Sequence, residues 1–385
     1  MADQLDEVLK LHARHNGVLG IESEMAVNNR SDLGKAYTPG VAAISKLLAK
    51  DPSLRDRYTL SGKLVAVVSD GSAVLGLGNI GPAGSLPVIE GKSLLYKDLA
   101  GVNALPLSVA QVSTDEFVAT VKNIAGSFAG IHLEDIAAPR CFEIEARLSQ
   151  ELDIPVYHDD QEGTAVVVMA GLLNAARVVG KDFHNLRVLI NGAGASGIAT
   201  ARLLAAAGIK QITLVDINGV ITPDDQRANA YQRQLAAQLG SHVNGSTLSQ
   251  AIIGQDVFIG LSDANVLSAE AVQTMADQPI IFGLANPIPE IDPDVAQKAG
   301  AAVIATGSSQ YPNQVNNILV FPGLYKGLLS SGLKKVSLEL ETNVANALAN
   351  MVQEPKSEHI VPGVFDEGVV KTVAEAVVDF AKANA

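Results

Sequence analysis

Tryptophan is absent from this chain, aromatic residues make up only 4% of it, and a single cysteine stands at position 141. One thiol excludes an intramolecular disulfide framework and any CxxC metal or redox motif, and it suits a reducing cytoplasm. Cys141 itself reads as a small residue on a helix face rather than a nucleophile. Few aromatics beside abundant Ala, Val, Leu and Gly favour close-packed helices on parallel strands over an aromatic-rich β-sandwich. Basic residues are also scarce, 28 Lys and Arg against 41 Asp and Glu, and the net charge of -13 repels nucleic acid and anionic membrane surfaces. Anionic ligands must therefore be held locally. No apolar run approaches the roughly 18 residues of a membrane span, and the opening MADQLDEVLK lacks the basic-then-apolar pattern of an export signal.

The 385 residues are enough for two α/β domains. A helix is predicted over Asp3 to His15, with Leu5, Val8, Leu9 and His12 at helical spacing. A second is expected from Thr38 as cap and Pro39 as first helical residue, which sets Tyr37 at its mouth. Lys63 to Ser69 is a continuous β-rich run. The glycine-rich stretch after it reads as a structured loop, and the next helical stretch carries Lys92 and Lys97. Ala104 to Ser108 returns to strand, and Thr114 starts a helix leading to Phe128. Ile131 to Asp135 and Ile154 to Asp160 are strands that each end in two acids, and Gly163 to Val179 is a long apolar helix. From Leu186 onward strands and helices alternate, which predicts a doubly wound parallel sheet. The expected fold is therefore α/β, an N-terminal α/β domain over residues 1–160 and a Rossmann-type domain over 161–385. Helices from Ser337 onward should pack back on one or both.

Gly192, Gly194 and Gly197 form G-A-G-A-S-G, with Ala195 and Ser196, directly after an apolar strand and directly before a helix. Glycines there permit the tight turn and the close approach of backbone to a pyrophosphate, which then faces the helix N-terminus. Asp216 ends the next strand, where a carboxylate bonds a ribose 2′-hydroxyl and repels a 2′-phosphate. Neither Ile217 nor Asn218 offers positive charge. The pattern favours NAD over NADP.

Glu134 and Asp135 end one strand and Asp159 and Asp160 another, and strand C-termini in open α/β sheets gather around the ligand crevice. Carboxylates brought together repel unless a cation sits among them, and hard oxygen donors suit Mg²⁺ or Mn²⁺. Taken singly, each acidic pair also fits a helix cap or a solvated turn.

Tyr37-Thr38-Pro39-Gly40, the glycine-rich segment from Asp70 to Lys92, Leu133-Glu134-Asp135, His158-Asp159-Asp160-Gln161-Glu162-Gly163-Thr164, the GAGASG turn, Ala285-Asn286-Pro287 and Asn316-Asn317 together resemble malic enzymes in order and spacing. They span nearly the whole chain, whose length is similar to the compact bacterial members. The resemblance implies that the first domain is a malic domain and that Glu134, Asp135 and Asp160 ligate a divalent metal. It implies Lys92 as general base, Tyr37 as general acid and Asp159 as the partner that tunes the lysine. Asn286 and Asn317 match asparagines that hold a malate carboxylate or the nicotinamide region. A homodimer is also implied. One departure stands out: long malic enzymes carry an arginine shortly after the Asp-Gly of the glycine-rich segment, and here Ser72, Ala73 and Val74 follow Asp70-Gly71.

The implied reaction is oxidative decarboxylation of L-malate to pyruvate and CO₂. Hydride passes from C2 to the nicotinamide while a base takes the hydroxyl proton, a Lewis acid stabilises the enolate left by CO₂ loss, and an acid protonates C3. Two other readings use the same residues: a malolactic catalyst that retains NAD and yields lactate, and an NAD-binding sensor without turnover.

Overall fold

The computed structural model describes residues 2–74, 76–240 and 243–384, so Leu75 of the glycine-rich segment lies outside the described residues. Two sheets organise them. In the first, β1 (Leu64–Ser69), β2 (Asn103–Ser108), β3 (Gly130–Leu133) and β4 (Val156–His158) lie in the order β2-β1-β3-β4, every pair parallel. Val65 to Val68 of β1 are fully buried, as a strand covered on both faces requires of a continuous apolar run. In the second, β5 (Arg187–Asn191), β6 (Gln211–Asp216), β7 (Gly219–Val220), β8 (Val257–Gly260), β9 (Ile280–Gly283) and β10 (Val303–Thr306) take the order β10-β9-β8-β5-β6-β7. Only β7 runs antiparallel, as a two-residue return on the edge. Chain direction across this sheet reverses beside β5, between β6 and β8, which makes a topological switch point of the kind that holds ligands at strand C-termini.

Along the chain, α1 (Ala2–His15), α2 (Arg30–Ala36) and α3 (Gly40–Lys50) come first. None of residues 5–60 is buried. The expected start of α3 is corrected: Pro39 is the cap, no side chain completes it, and Tyr37 closes α2 one turn earlier. Next, α4 (Gly81–Ala100) joins β1 to β2, and it begins inside the segment expected to be a loop. Pro82 sits in its first turn, where a missing N–H costs nothing, and burial of Ser85, Ile89 and Tyr96 outweighs the weak helical preference of its glycines. The helix α5 (Thr114–Ile124) stops short of Phe128 and is capped reciprocally by Ser113 and Glu116. It is followed by α6 (Arg140–Glu151), by the apolar α7 (Thr164–Val178) and by α8 (Ala195–Ala206), which joins β5 to β6.

At the far end, α9 (Phe321–Ser331), α10 (Leu338–Met351) and α11 (Val369–Ala383) return to the body of the fold. Helix α9 packs on α11 and α4, while α10 packs on α7. The Tyr325 hydroxyl donates to the Ile131 carbonyl of β3 at 2.5 Å, tying the C-terminal helices to the first sheet. No helix among the described residues is long and apolar enough to cross a membrane.

Candidate active site

Strands β3 and β4 are neighbours in register, Leu133 opposite His158, so the residues that follow each leave the sheet side by side. Glu134 and Asp135 follow one, and the π-helical turn Asp159–Gly163 follows the other. Asp135 turns through φ 56°, a left-handed conformation that aspartate tolerates, and its N–H donates to Asp160 Oδ2 at 2.8 Å. Carboxylate oxygens of Glu134, Asp135 and Asp160 all lie within 4.8 Å of one another, close enough for one ion to touch all three. Burial, then the Glu134 charge, pushes the Asp160 carboxyl above its ordinary value. A hard divalent cation would relieve that repulsion, so this donor set fits Mg²⁺ or Mn²⁺.

A second close set, His132, Glu134 and Asp159, is served differently. Lys92, on α4, pairs with Asp159 Oδ2 and stands 3.2 Å from Glu134 Oε1, so an ammonium already serves those carboxylates. Its Nζ also donates to Asn317 Oδ1 at 3.2 Å and lies 4.7 Å above the Phe321 ring. Burial would lower the Lys92 ammonium, but Asp159 and Glu134 outweigh it and hold the group above its ordinary value. Asp159 is fixed from its other side, where the Tyr157 hydroxyl donates to Oδ1 at 2.7 Å. Gly163 makes room for that bond: a Cβ there would stand 2.1 Å from Asp159 Oδ1 and 2.3 Å from the Tyr157 hydroxyl.

The glycine turn of the second sheet meets the same place. Gly192 adopts φ 112° and passes so near β8 that a Cβ would lie 2.2 Å from the Leu261 carbonyl; one on Gly197 would lie 1.7 Å from the Gly192 carbonyl. Around Gly194, in contrast, nothing stands within 4 Å of an added Cβ, which leaves the turn open for a ligand to approach. The N-terminus of α8, starting at Ala195, has no side-chain cap, so its N–H groups remain available to an anion. A cavity of about 130 Å³ runs from Asp160 past Ser196 to Asn286 and Asn317. A larger one of about 450 Å³ adjoins it between the Ala73 to Gly78 loop and Asn286. At the end of β6, Asp216 Oδ1 accepts from the Asn218 N–H at 2.7 Å.

Residues 161–382 match the family model "Malic enzyme, NAD binding domain", and residues 19–113 and 109–149 match "Malic enzyme, N-terminal domain". The chain belongs to the malic enzyme family. It is 47% identical to the NAD-dependent malic enzyme of Geobacillus stearothermophilus over 367 residues, 95% of this chain and 77% of that protein. It is 44% identical to the bifunctional malic/malolactic enzyme of Bacillus subtilis, over 97% of this chain and 92% of that one. A crystal structure of NAD-dependent malic enzyme from Thermotoga maritima superposes with a TM-score of 0.93 at 42% identity, covering 96% of this chain and 98% of that one. Both NAD-dependent and NADP-dependent malic enzymes occur among its relatives.

For this member of the malic enzyme family, the residues singled out in the sequence are brought together except for Tyr37 and for Asp216, which stands at the end of β6. Lys92, Asp159, Asn286, Asn317, the three acids and the glycine turn share one region, whereas Tyr37 is 66% exposed and makes no contact with Lys92 or the acids. Three side chains were missed: His132, Tyr96 and Tyr157. Tyr96 donates toward His132 Nδ1 at 2.8 Å, and His132 Nε2 meets Glu134 Oε2 at 2.6 Å. Burial takes His132 down to about 3, so its imidazole is neutral. A signal existed, since His132 precedes Glu134 by two and Tyr157 precedes Asp159 by two, and a strand puts such pairs on one side.

Gly163→Ala should drive Asp159 and Tyr157 apart and lower kcat about 100-fold through misplacement of the Lys92 partner, leaving NADH affinity nearly unchanged. Steady-state kinetics beside NADH fluorescence titration checks this; an unimpaired kcat would show that the Tyr157–Asp159 bond is dispensable.

Proposed function

We propose that the chain catalyses oxidative decarboxylation of L-malate to pyruvate and CO₂, with NAD as hydride acceptor and dependence on Mg²⁺ or Mn²⁺. The observation that carries this reading is the single cavity joining Asp160 to the phosphate-binding turn at Ser196, with Lys92 hydrogen-bonded to Asn317 on its wall. When bound among Glu134, Asp135 and Asp160, the metal supplies Lewis acidity for the malate hydroxyl and carboxylate and for the enolate formed after CO₂ loss. Lys92 takes the 2-hydroxyl proton, and Asp159 receives and orients its ammonium. Neutralising Glu134 and Asp160 would remove two of the charges that hold the ammonium up, a change in the direction a general base needs, while Asp159 remains. Asn317 and Asn286 hold the malate carboxylate or the nicotinamide region. We take residues 1–160 as the malic domain and 161–385 as the NAD-binding domain with its C-terminal helices, in a cytoplasmic enzyme.

Discrimination for NAD rests on Asp216, whose carboxylate suits a 2′-hydroxyl. Its charge reaches Arg227, yet that guanidinium is engaged by Asp225 through bonds of 2.9 and 3.0 Å, which disfavours its use on a 2′-phosphate.

Tyr37 needs a different geometry. It lies in an arm, residues 5–60, without buried side chains, on which Leu5, Val8, Leu9, Leu33 and Val41 stand exposed. An apolar face this long stays soluble by packing on another surface. We infer a homodimer in which the arm lies on a second copy and Tyr37 enters the partner's site as the acid that protonates C3.

The malolactic reading is kept because of the bifunctional relative from Bacillus subtilis. Absorbance at 340 nm with L-malate, Mn²⁺ and NAD should rise with pyruvate formation and vanish on chelation; lactate without NADH would overturn the oxidative assignment. In the same assay Asp216→Ser should erode the NAD preference in kcat/KM, and a native preference for NADP would remove Asp216 from that role. Lys92→Ala and Tyr37→Phe should each be nearly inactive alone. Unfolded, mixed and refolded together they should regain about a quarter of wild-type activity, because half the dimers are mixed and each carries one intact composite site. No recovery would place Tyr37 and Lys92 in the same chain's site.

A further inference from the structure

The buried column behind Glu134 is used by none of the steps above. Tyr96 and His132 are fully buried and Glu134 is 3% exposed, and the three are linked end to end by bonds of 2.8 and 2.6 Å. We propose that His132, locked in one tautomer by Tyr96, is a positioning residue that aims Glu134 at the divalent cation; this rests on the metal reading given above.

The direction of each bond follows from the groups at the ends. Glu134 Oε1 lies 3.2 Å from Lys92 Nζ, and a carboxylate in an ion pair accepts from its other neighbours. His132 Nε2 therefore carries the proton and donates to Oε2. A neutral imidazole then has a bare Nδ1, which must accept, and the Tyr96 hydroxyl is the donor that meets it. With both ring nitrogens engaged, His132 is not itself free to ligate, although its ring lies within reach of Glu134 and Asp159. The ring cannot turn to exchange these roles: Tyr96, Tyr157 and Phe321 stand 5.6 to 5.7 Å from it, centroid to centroid, in edge contacts. Strand geometry supplies the alignment, because His132, next to last in β3, lies on the side from which Glu134 emerges two residues later. One Glu134 oxygen is thus occupied and the other held toward Lys92 and the acids, so the carboxylate is ordered before a cation arrives. Partners of this kind, one bond removed from a metal, typically govern affinity and ligand orientation.

The test is Mn²⁺ affinity of the full-length protein, read from the electron paramagnetic resonance signal of free Mn²⁺ without turnover. His132→Leu should weaken binding by about 10- to 100-fold, whereas His132→Gln, whose amide can offer an N–H near the Nε2 position, should recover to within about threefold of wild type. Tyr96→Phe leaves Nδ1 without its donor and should fall between. Because His132→Leu also strands the Tyr96 hydroxyl in the core, the double variant Tyr96→Phe/His132→Leu removes that fault and should still bind Mn²⁺ weakly while retaining NADH affinity and cooperative melting. Wild-type Mn²⁺ affinity in the double variant overturns the proposal, as does a His132→Gln protein that melts normally and binds as weakly as His132→Leu. A wild-type protein with no Mn²⁺ site would instead sink the metal reading, and this inference with it.

Discussion

Four carboxylates brought to one edge of a parallel sheet are the constraint to which the surrounding structure answers. Parallel strands lie about 4.8 Å apart, so acids that end β3 and β4 cannot avoid one another. Burying them together is costly unless each charge is met. Lys92 meets Asp159 and Glu134, Tyr157 and His132 each donate to one carboxylate oxygen, and the Asp135 N–H donates to Asp160. One lysine does not balance the acids gathered there, and the donor set that Glu134, Asp135 and Asp160 form fits a divalent cation. Asp159 first, then Glu134 and Asp160, hold Lys92 as an ammonium against the opposing effect of burial. Cation binding and the proton state of the lysine are therefore linked through the charges they share, before any substrate is considered.

The second sheet contributes through backbone rather than charge. Gly192 and Gly197 are required by contacts that exclude a side chain, whereas Gly194 faces open space. That contrast separates two reasons for a glycine in one six-residue turn: internal packing at its ends and ligand approach at its middle. The two sheets are joined by the π turn at Asp159–Gly163 and by α9, whose Tyr325 reaches β3. A site divided between sheets needs such ties, because errors of about 1 Å in placing a base are costly.

Much of this was legible in the sequence, for identifiable reasons. Strands β1, β3 and β5 are short apolar runs with no alternative period, and the glycine turn has the strand before it and the helix after it that the motif demands. The acidic strand ends were legible because parallel strands align their C-termini. Less legible was the start of α4, where Gly81 and Gly84 argue for a loop locally and buried contacts at Ser85, Ile89 and Tyr96 decide for a helix. The cap of α3 was misread because Thr38 has the right chemistry but the chain turns into the helix one residue later. His132 and Tyr157 were missed since an aromatic or histidine inside a buried strand looks like core. Only their placement two residues before an acid distinguishes them.

Tyr37 marks the limit of reasoning within one chain. Its motif resembles that of the family in order and spacing, yet the folded chain leaves it 66% exposed. The stripe of Leu5, Val8, Leu9 and His12 was read as one face of a helix, and such a face normally reports burial. Here the helix forms while Leu5, Val8 and Leu9 of that face stay exposed, so the pattern in the sequence is not accounted for by contacts within one chain. An amphipathic stripe and the Tyr37 motif exposed on the same arm are the two observations on which the proposed homodimer rests. Sequence periodicity specifies that a face must be covered, and it is silent on whose surface covers it.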